Sequence, residues 1–218
     1  MLHYVPEPIT EILVGGGIRS LVATAIVLSR TNPLRVSLLH LCDHRTNSRR
    51  RLEYVRQQAR HFGISKRYEL QLPRLKLTQD PATANETATP PLLRPRVVML
   101  GLAHAIVMEA KCLIWPAQFN DAFDDCAQVT EQAVLMQTLA QLDYGHEVPE
   151  IETPLLELDD QQVIELGAQL EVPWELAWTC LLHGESPCRV CDACQCRRAA
   201  FDAASMVDPL EEPVGVGR

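Results

Sequence analysis

Residues 11–20, EILVGGGIRS, carry a short aliphatic run into three consecutive glycines and then into a helical pattern. A chain built this way starts as strand, tight turn, helix, and the rest of the sequence repeats the alternation. The predicted first strand covers 11–14. The helix that follows covers 18–29, with Leu21, Val22, Ala25, Ile26 and Leu28 spaced for one buried face. Asn32-Pro33 breaks it. Residues 34–41, LRVSLLHL, are aliphatic enough for a buried strand. Residues 48–62 form a second helix capped by Gly63, and 67–72 alternate as a third strand. Residues 77–95, rich in Thr, Ala and Pro, offer little to bury and read as a long surface loop. A strongly apolar helix over 96–110, a strand at 112–115, a loop at 117–128, a helix ending at Leu142 and an extended stretch at 149–156 follow. Asp159 is placed to cap another helix. A short helix is expected from Arg197 to Met206, and the last residues, DPLEEPVGVGR, read as a disordered tail. Strands alternating with helices imply an α/β fold, a mostly parallel sheet covered on both faces. The expected division is 1–150 for the sheet domain, 151–206 for a smaller helical lobe and 207–218 for the tail.

The 218 residues suffice for one sizeable core, and the net charge of −8 speaks against a broad nucleic-acid-binding surface while leaving room for a small basic pocket. No apolar run approaches the roughly 18 residues a membrane span needs. The opening MLHYVPEPITE lacks the basic-then-apolar profile of a secretion signal, so a cytoplasmic location is expected.

Eight cysteines in a reducing compartment ask for a reason other than disulfides. Cys42, Cys112 and Cys126 are dispersed. Cys180, Cys188, Cys191, Cys194 and Cys196 crowd together, which points to metal. Two thiolates two residues apart can grip one tetrahedral ion, and four satisfy Zn²⁺ with no open position, giving a structural site. The expected ligands are Cys180, Cys188, Cys191 and Cys194. His183 is a rival for the fourth place, Cys196 follows Cys194 too closely to join easily, and an iron–sulfur cluster is the competing occupant.

The same residues carry a resemblance. Residues 172–180, VPWELAWTC, then seven residues, then CRVCDACQCR, resemble the GVPxELTWSC…CGxCxxCxxR region of the QueC/ExsB family, the 7-cyano-7-deazaguanine synthases. Each of the four cysteines falls in register, and Arg197 matches the closing arginine. Residues 154–167, PLLELDDQQVIELG, resemble that family's PLLxLxKxEIVxLG, and Asp125-Cys126 resembles the end of its DYSGYPDC loop. The likeness is dense from about 149 to 201 and thinner before. It implies a Rossmann-like ATP pyrophosphatase domain with a zinc-bearing C-terminal lobe. It also implies a ligase that converts 7-carboxy-7-deazaguanine and ammonia to the nitrile with ATP and Mg²⁺, within queuosine biosynthesis, and a homodimer. Asp121 and Asp125 would then touch the deazapurine. Read without the resemblance, Asp121, Asp124 and Asp125 are equally an acidic cluster suited to a helix N-terminus.

Against the family's SGGxDS phosphate loop, this chain reads Gly15-Gly16-Gly17-Ile18-Arg19-Ser20. Gly16, Gly17 and Ser20 are retained, while Gly15 replaces a serine and Arg19 an aspartate. Glycines let the backbone approach an anion and the helix N-terminus favours it. Arg19 can bind pyrophosphate but cannot hold Mg²⁺. The expectation is a retained nucleotide or phosphate site at Gly15, Gly16, Gly17, Arg19 and Ser20, with no residue assigned to catalysis. The alternatives are a catalytically silent paralogue serving as a nucleotide-binding or interaction subunit, another ATP pyrophosphatase such as one acting in RNA thiolation, and a plain structural turn. Arg45, Arg49, Arg50 and Arg51 read as a solvated helix face rather than a phosphate site. His104 reads as a satisfied core histidine. Trp174 and Trp178 read as packing the lobe onto the sheet.

Overall fold

The computed structural model describes residues 8–43, 45–73, 92–118, 123–145, 147–182 and 184–211, with the side chains of 123–125 excepted. Five strands form one sheet: β1 (Ile9–Leu13), β2 (Val36–Cys42), β3 (Lys66–Gln71), β4 (Ala110–Ile114) and β5 (Glu150–Glu152), in the order β3-β2-β1-β4-β5. Every pairing is parallel. The three inner strands are largely buried on both sides, and β2 is buried at every residue, Ser37 and His40 included. Edge strand β3 alternates between half-buried and exposed.

Helices α1 (Ile18–Leu28) and α2 (Ser48–His61) cover one face together with α5 (Asp160–Gln169) and α6 (Asp192–Ala203). Helices α3 (Leu93–Val107) and α4 (Phe123–Tyr144) cover the other. Strand pleating sorts the side chains. Ile12, Val14, Leu38 and Ile114 join the first core, while Leu13, Leu39 and Leu113 join the second. Residues from both sides of position 150 share the first core, Val22 and Leu38 meeting Val163, Trp174 and Phe201. The chain leaves β1 on the α1 face for β2 and returns from β3 by α3 on the opposite face to β4. The topological switch therefore lies between β1 and β4, where open α/β sheets bind ligands at their carboxyl ends.

Three helices differ from expectation in their bounds. Helix α3 begins at Leu93, ahead of Pro95, and ends at Val107; Ala110 belongs instead to β4, paired with Ile9. Helix α4 begins at Phe123, inside the stretch read as a loop. Helix α6 begins at Asp192, so Cys194 and Cys196 are helical. Part of the expected tail is also ordered. Asp208 accepts two hydrogen bonds from Arg197, at 2.6 and 2.8 Å, and Glu211 N–H donates to the Asp208 carbonyl at 3.0 Å. Asp159 caps α5 as expected, in a reciprocal box with Gln162.

Candidate functional site

The glycine turn between β1 and α1 sits at the switch point and floors a cleft of about 740 Å³. Gly16 has φ +75°, and a Cβ there would lie 2.5 Å from the Arg51 carbonyl oxygen, so only glycine fits. Its carbonyl accepts from Trp178 N–H at 2.8 Å and from Gln58 Nε2 at 3.2 Å. Gly17 is the N-cap of α1 and supplies no side-chain cap, which leaves the helix N-terminus to an anion. Ser20 is buried and its Oγ donates to the Gly17 carbonyl at 3.0 Å, so its hydroxyl is used inside the turn. Gly15 and Arg19 line the cleft directly. The structure thus places Gly15, Gly16 and Gly17 in the turn and Arg19 and Ser20 in the first turn of α1; all but Gly16 line the cleft. Asp121 lies outside the described residues, as does the side chain of Asp125.

The arginines of α2 and the turn before it require a correction. Arg49 is a solvated residue, its side chain 85% exposed. Arg45 and Arg51 instead line the cleft. Arg51 donates from Nε to the Gly15 carbonyl at 2.9 Å and from Nη1 to Asp43 Oδ2 at 3.0 Å. Burial alone would raise the Asp43 carboxyl; Arg51, the Ser48 hydroxyl and Arg45 outweigh it and hold Asp43 below the ordinary carboxylate range. Arg50 spans from Glu53 to the Gly184 carbonyl and lies over the Trp178 ring. Beneath the turn, His40 Nδ1 donates to the Val14 carbonyl at 2.8 Å, which fixes the tautomer, and burial lowers its pKa. Two further cleft residues, Gln118 and Asn47, escaped the sequence reading. Gln118 is 7% exposed with both amide atoms unpartnered, and Asn47 Oδ1 and Trp178 Nε1 are likewise buried without partners. No local pattern marks Gln118 or Asn47, because each depends on which loops the sheet topology brings together.

The four sulfurs of Cys180, Cys188, Cys191 and Cys194 lie within 4.8 Å of one another. Three of their separations are 3.5, 3.9 and 4.0 Å. A tetrahedral ion with bonds of about 2.3 Å separates its ligands by about 3.8 Å. Backbone N–H groups of Leu182 and Cys188 point at the Cys180 sulfur and that of Cys191 at the Cys188 sulfur, an arrangement that favours thiolates. Backbone hydrogen bonds from Val190 and Cys191 hold the Cys188 thiol down to about 6, whereas burial pushes Cys194 and Cys180 up. The residues present therefore fit a metal ion. His183 lies outside the described residues, and Cys196 turns away from the cluster toward the cleft.

The cluster is joined to the turn. Asn47 Nδ2 donates to the Cys180 carbonyl at 2.8 Å, and Gln58 bridges the Leu176 and Gly16 carbonyls. Arg197 is buried, paired with Asp208, and donates to the Ala177 and Trp174 carbonyls. As the sequence suggested, both tryptophans pack between lobe and sheet. Trp174 stands edge-on to Phe201, and Trp178 lies against Tyr54.

A family model described as "Queuosine biosynthesis protein QueC" matches residues 10–205. The chain belongs to the QueC family. The 7-cyano-7-deazaguanine synthase of Chlorobaculum parvum is 27% identical over 220 residues, covering 93% of this chain and 96% of that protein. Among solved structures, the U34-tRNA thiolase NcsA from Methanococcus maripaludis, with its 4Fe-4S cluster, is similar with TM-score 0.51 and 13% identity, over 91% of this chain and 65% of that one. NMN synthetase from Francisella tularensis is similar with TM-score 0.50 and 16% identity, over 93% and 89%. The two structural likenesses establish the fold that this QueC-family chain shares with them. No helix among the described residues is long and apolar enough to cross a membrane.

Proposed function

We propose that this chain is an ATP-dependent C–N ligase of the 7-cyano-7-deazaguanine synthase type, acting in queuosine biosynthesis in the cytoplasm. The observation that carries the reading is the glycine turn at the β1–β4 switch point, flooring a cleft of about 740 Å³ within a chain whose family match runs from 10 to 205. In the proposed reaction the carboxylate of 7-carboxy-7-deazaguanine attacks the α-phosphorus of ATP and pyrophosphate leaves. Ammonia displaces AMP to give the amide. A second ATP adenylates the amide oxygen with release of pyrophosphate and one N–H proton, and loss of AMP and the second proton leaves the nitrile.

The turn and the α1 N-terminus receive the phosphates, with Arg51 and Arg45 adding positive charge at the rim. Asp121 and Asp125 are proposed to bind the deazapurine, on the resemblance of the segment ending in Asp125-Cys126 to the family's substrate loop. Zinc is the proposed occupant of the four sulfurs, in a structural role. One ion can sit under all four when they lie within 4.8 Å of one another, whereas a four-iron cube spreads them over four separate irons. A homodimer is proposed through α4, where Leu135, Leu139 and Leu142 recur at helical spacing and stand exposed; sedimentation of the protein with Leu139→Lys tests it, a monomer being the expected result.

The deciding experiment incubates metal-loaded protein with ATP, Mg²⁺, ammonia and 7-carboxy-7-deazaguanine and follows AMP and nitrile by mass spectrometry. The expected result is nitrile with AMP release. Nucleotide binding with neither product would instead favour the silent, binding-subunit reading.

A further inference from the structure

The N-termini of two neighbouring helices, α1 and α5, meet at the cleft. Arg19 stands in the first turn of α1, and Asp160 is the first residue of α5. Arg19 Nη2 lies 4.0 Å from Asp160 Oδ1, and the two side chains are 44% and 48% exposed. Both line the cleft, and among the described lining residues Asp160 is the sole carboxylate. Asp43 is engaged by Arg45 and Arg51. An independent observation points to a ligand in this space: Gln118, 7% exposed, lines the same cleft with both its amide atoms unpartnered.

A nucleotide's phosphates arrive with a hard divalent cation, which keeps most of its waters and typically takes one or two protein carboxylates alongside the phosphates. The glycine turn offers no carboxylate, because Arg19 stands where one would serve. Asp160 supplies the missing group from the neighbouring helix. Arg19, a planar fork of donors, suits phosphate oxygens. The pair is half-exposed and its members lie 4.0 Å apart, a weak interaction by itself. The two sequence patterns given above agree with this reading. The aspartate of SGGxDS falls on Arg19 and the lysine of PLLxLxKxEIVxLG falls on Asp160, so both signs are exchanged and an opposite-charge pair is kept.

We propose that Arg19 and Asp160 act as a transposed pair, Asp160 holding the Mg²⁺ that accompanies the nucleotide and Arg19 gripping its phosphate oxygens. The proposal rests on the nucleotide half of the function above and is independent of the deazapurine chemistry.

The test is calorimetry of the metal-loaded protein with α,β-methylene ATP, with and without Mg²⁺, in buffer free of chelator so that the sulfur-bound metal stays in place. Wild-type protein is expected to bind the analogue roughly tenfold tighter with Mg²⁺. Asp160→Asn, at an exposed helix terminus and checked for an unchanged Tm, is expected to lose most of that enhancement while keeping Mg²⁺-free affinity, a split that a merely structural role for Asp160 would not produce. Arg19→Asp is expected to weaken binding about tenfold, and Arg19→Asp with Asp160→Lys to return within about threefold of wild type. Undiminished Mg²⁺ enhancement in Asp160→Asn, a double variant as weak as both losses combined, or a wild-type protein that does not bind the analogue would each overturn the pair. Tight Mg²⁺-dependent binding without nitrile synthesis would count against the proposed reaction and leave the pair standing.

Discussion

Gly16 meets three demands at one position. Its φ of +75° excludes side chains, its missing Cβ leaves room for the Arg51 carbonyl, and its own carbonyl gathers the donors of Trp178 and Gln58. Gly16→Ala should cost about 2–3 kcal/mol in chemical denaturation and abolish nucleotide affinity, since relief of the contact must shift α2 backbone. Arg197 is a different case, a buried cation whose partner Asp208 is equally buried. Arg197→Met strands that carboxylate, and denaturation should report a loss of about 3–5 kcal/mol. Arg197→Met with Asp208→Leu should recover part of it, the remainder being the orphaned Ala177 and Trp174 carbonyls.

At the scale of elements, β1 and α3 are tied by a polar contact inside the second core. Glu11 is fully buried in the central strand, its Oε1 2.6 Å from His104 Nδ1, while its Oε2 has no partner. Burial pushes the Glu11 carboxyl up to about 8 and lowers His104, so the contact is best drawn as a protonated carboxyl donating to a neutral imidazole. The folded carboxyl titrates above its unfolded value near 4.5, so the native state holds the proton more tightly. The stability it contributes is complete below pH 4.5 and is lost as pH rises through about 8. Thermal melts across that window should decline with pH, and Glu11→Gln, which still donates to His104, should flatten the decline. The same elements mark what local pattern could reach. The apolar run of α3 was readable, but its start was not. Pro95 looks like a breaker, yet it occupies the first turn, where its missing N–H has no partner to lose. Ala110 continues the helical pattern and is drawn into β4 by pairing with Ile9. Cysteine spacing masked the start of α6, because Cys191 both caps the helix and joins the cluster. The four sulfurs were legible because a metal's demands fall within a short stretch of chain. Arg51, Gln118 and Asn47 were not, because their importance depends on tertiary approach to the cleft.

For the whole molecule, the sulfur cluster and the glycine turn form one mechanical unit. Trp178, two residues before Cys180, donates to the Gly16 carbonyl, and Asn47 holds the Cys180 carbonyl. Removing the metal with a chelator should therefore lower the Tm by several degrees and also raise amide exchange in residues 15–20, far from the sulfurs in sequence. Cys194→Ser should reproduce both effects without chelator. A Tm drop with unchanged exchange in the turn would mean that lobe and turn are uncoupled. The contact between Trp178 and Gly16 also has a meaning in time. A ribosome delivers the turn well before its brace, about 160 residues apart in the chain. A chain that stops short of Trp178 carries the turn braced by Arg51 and Gln58 alone. The turn thus gains its last brace only when the cysteine lobe is present, and copies lacking that lobe should show faster amide exchange at residues 15–20.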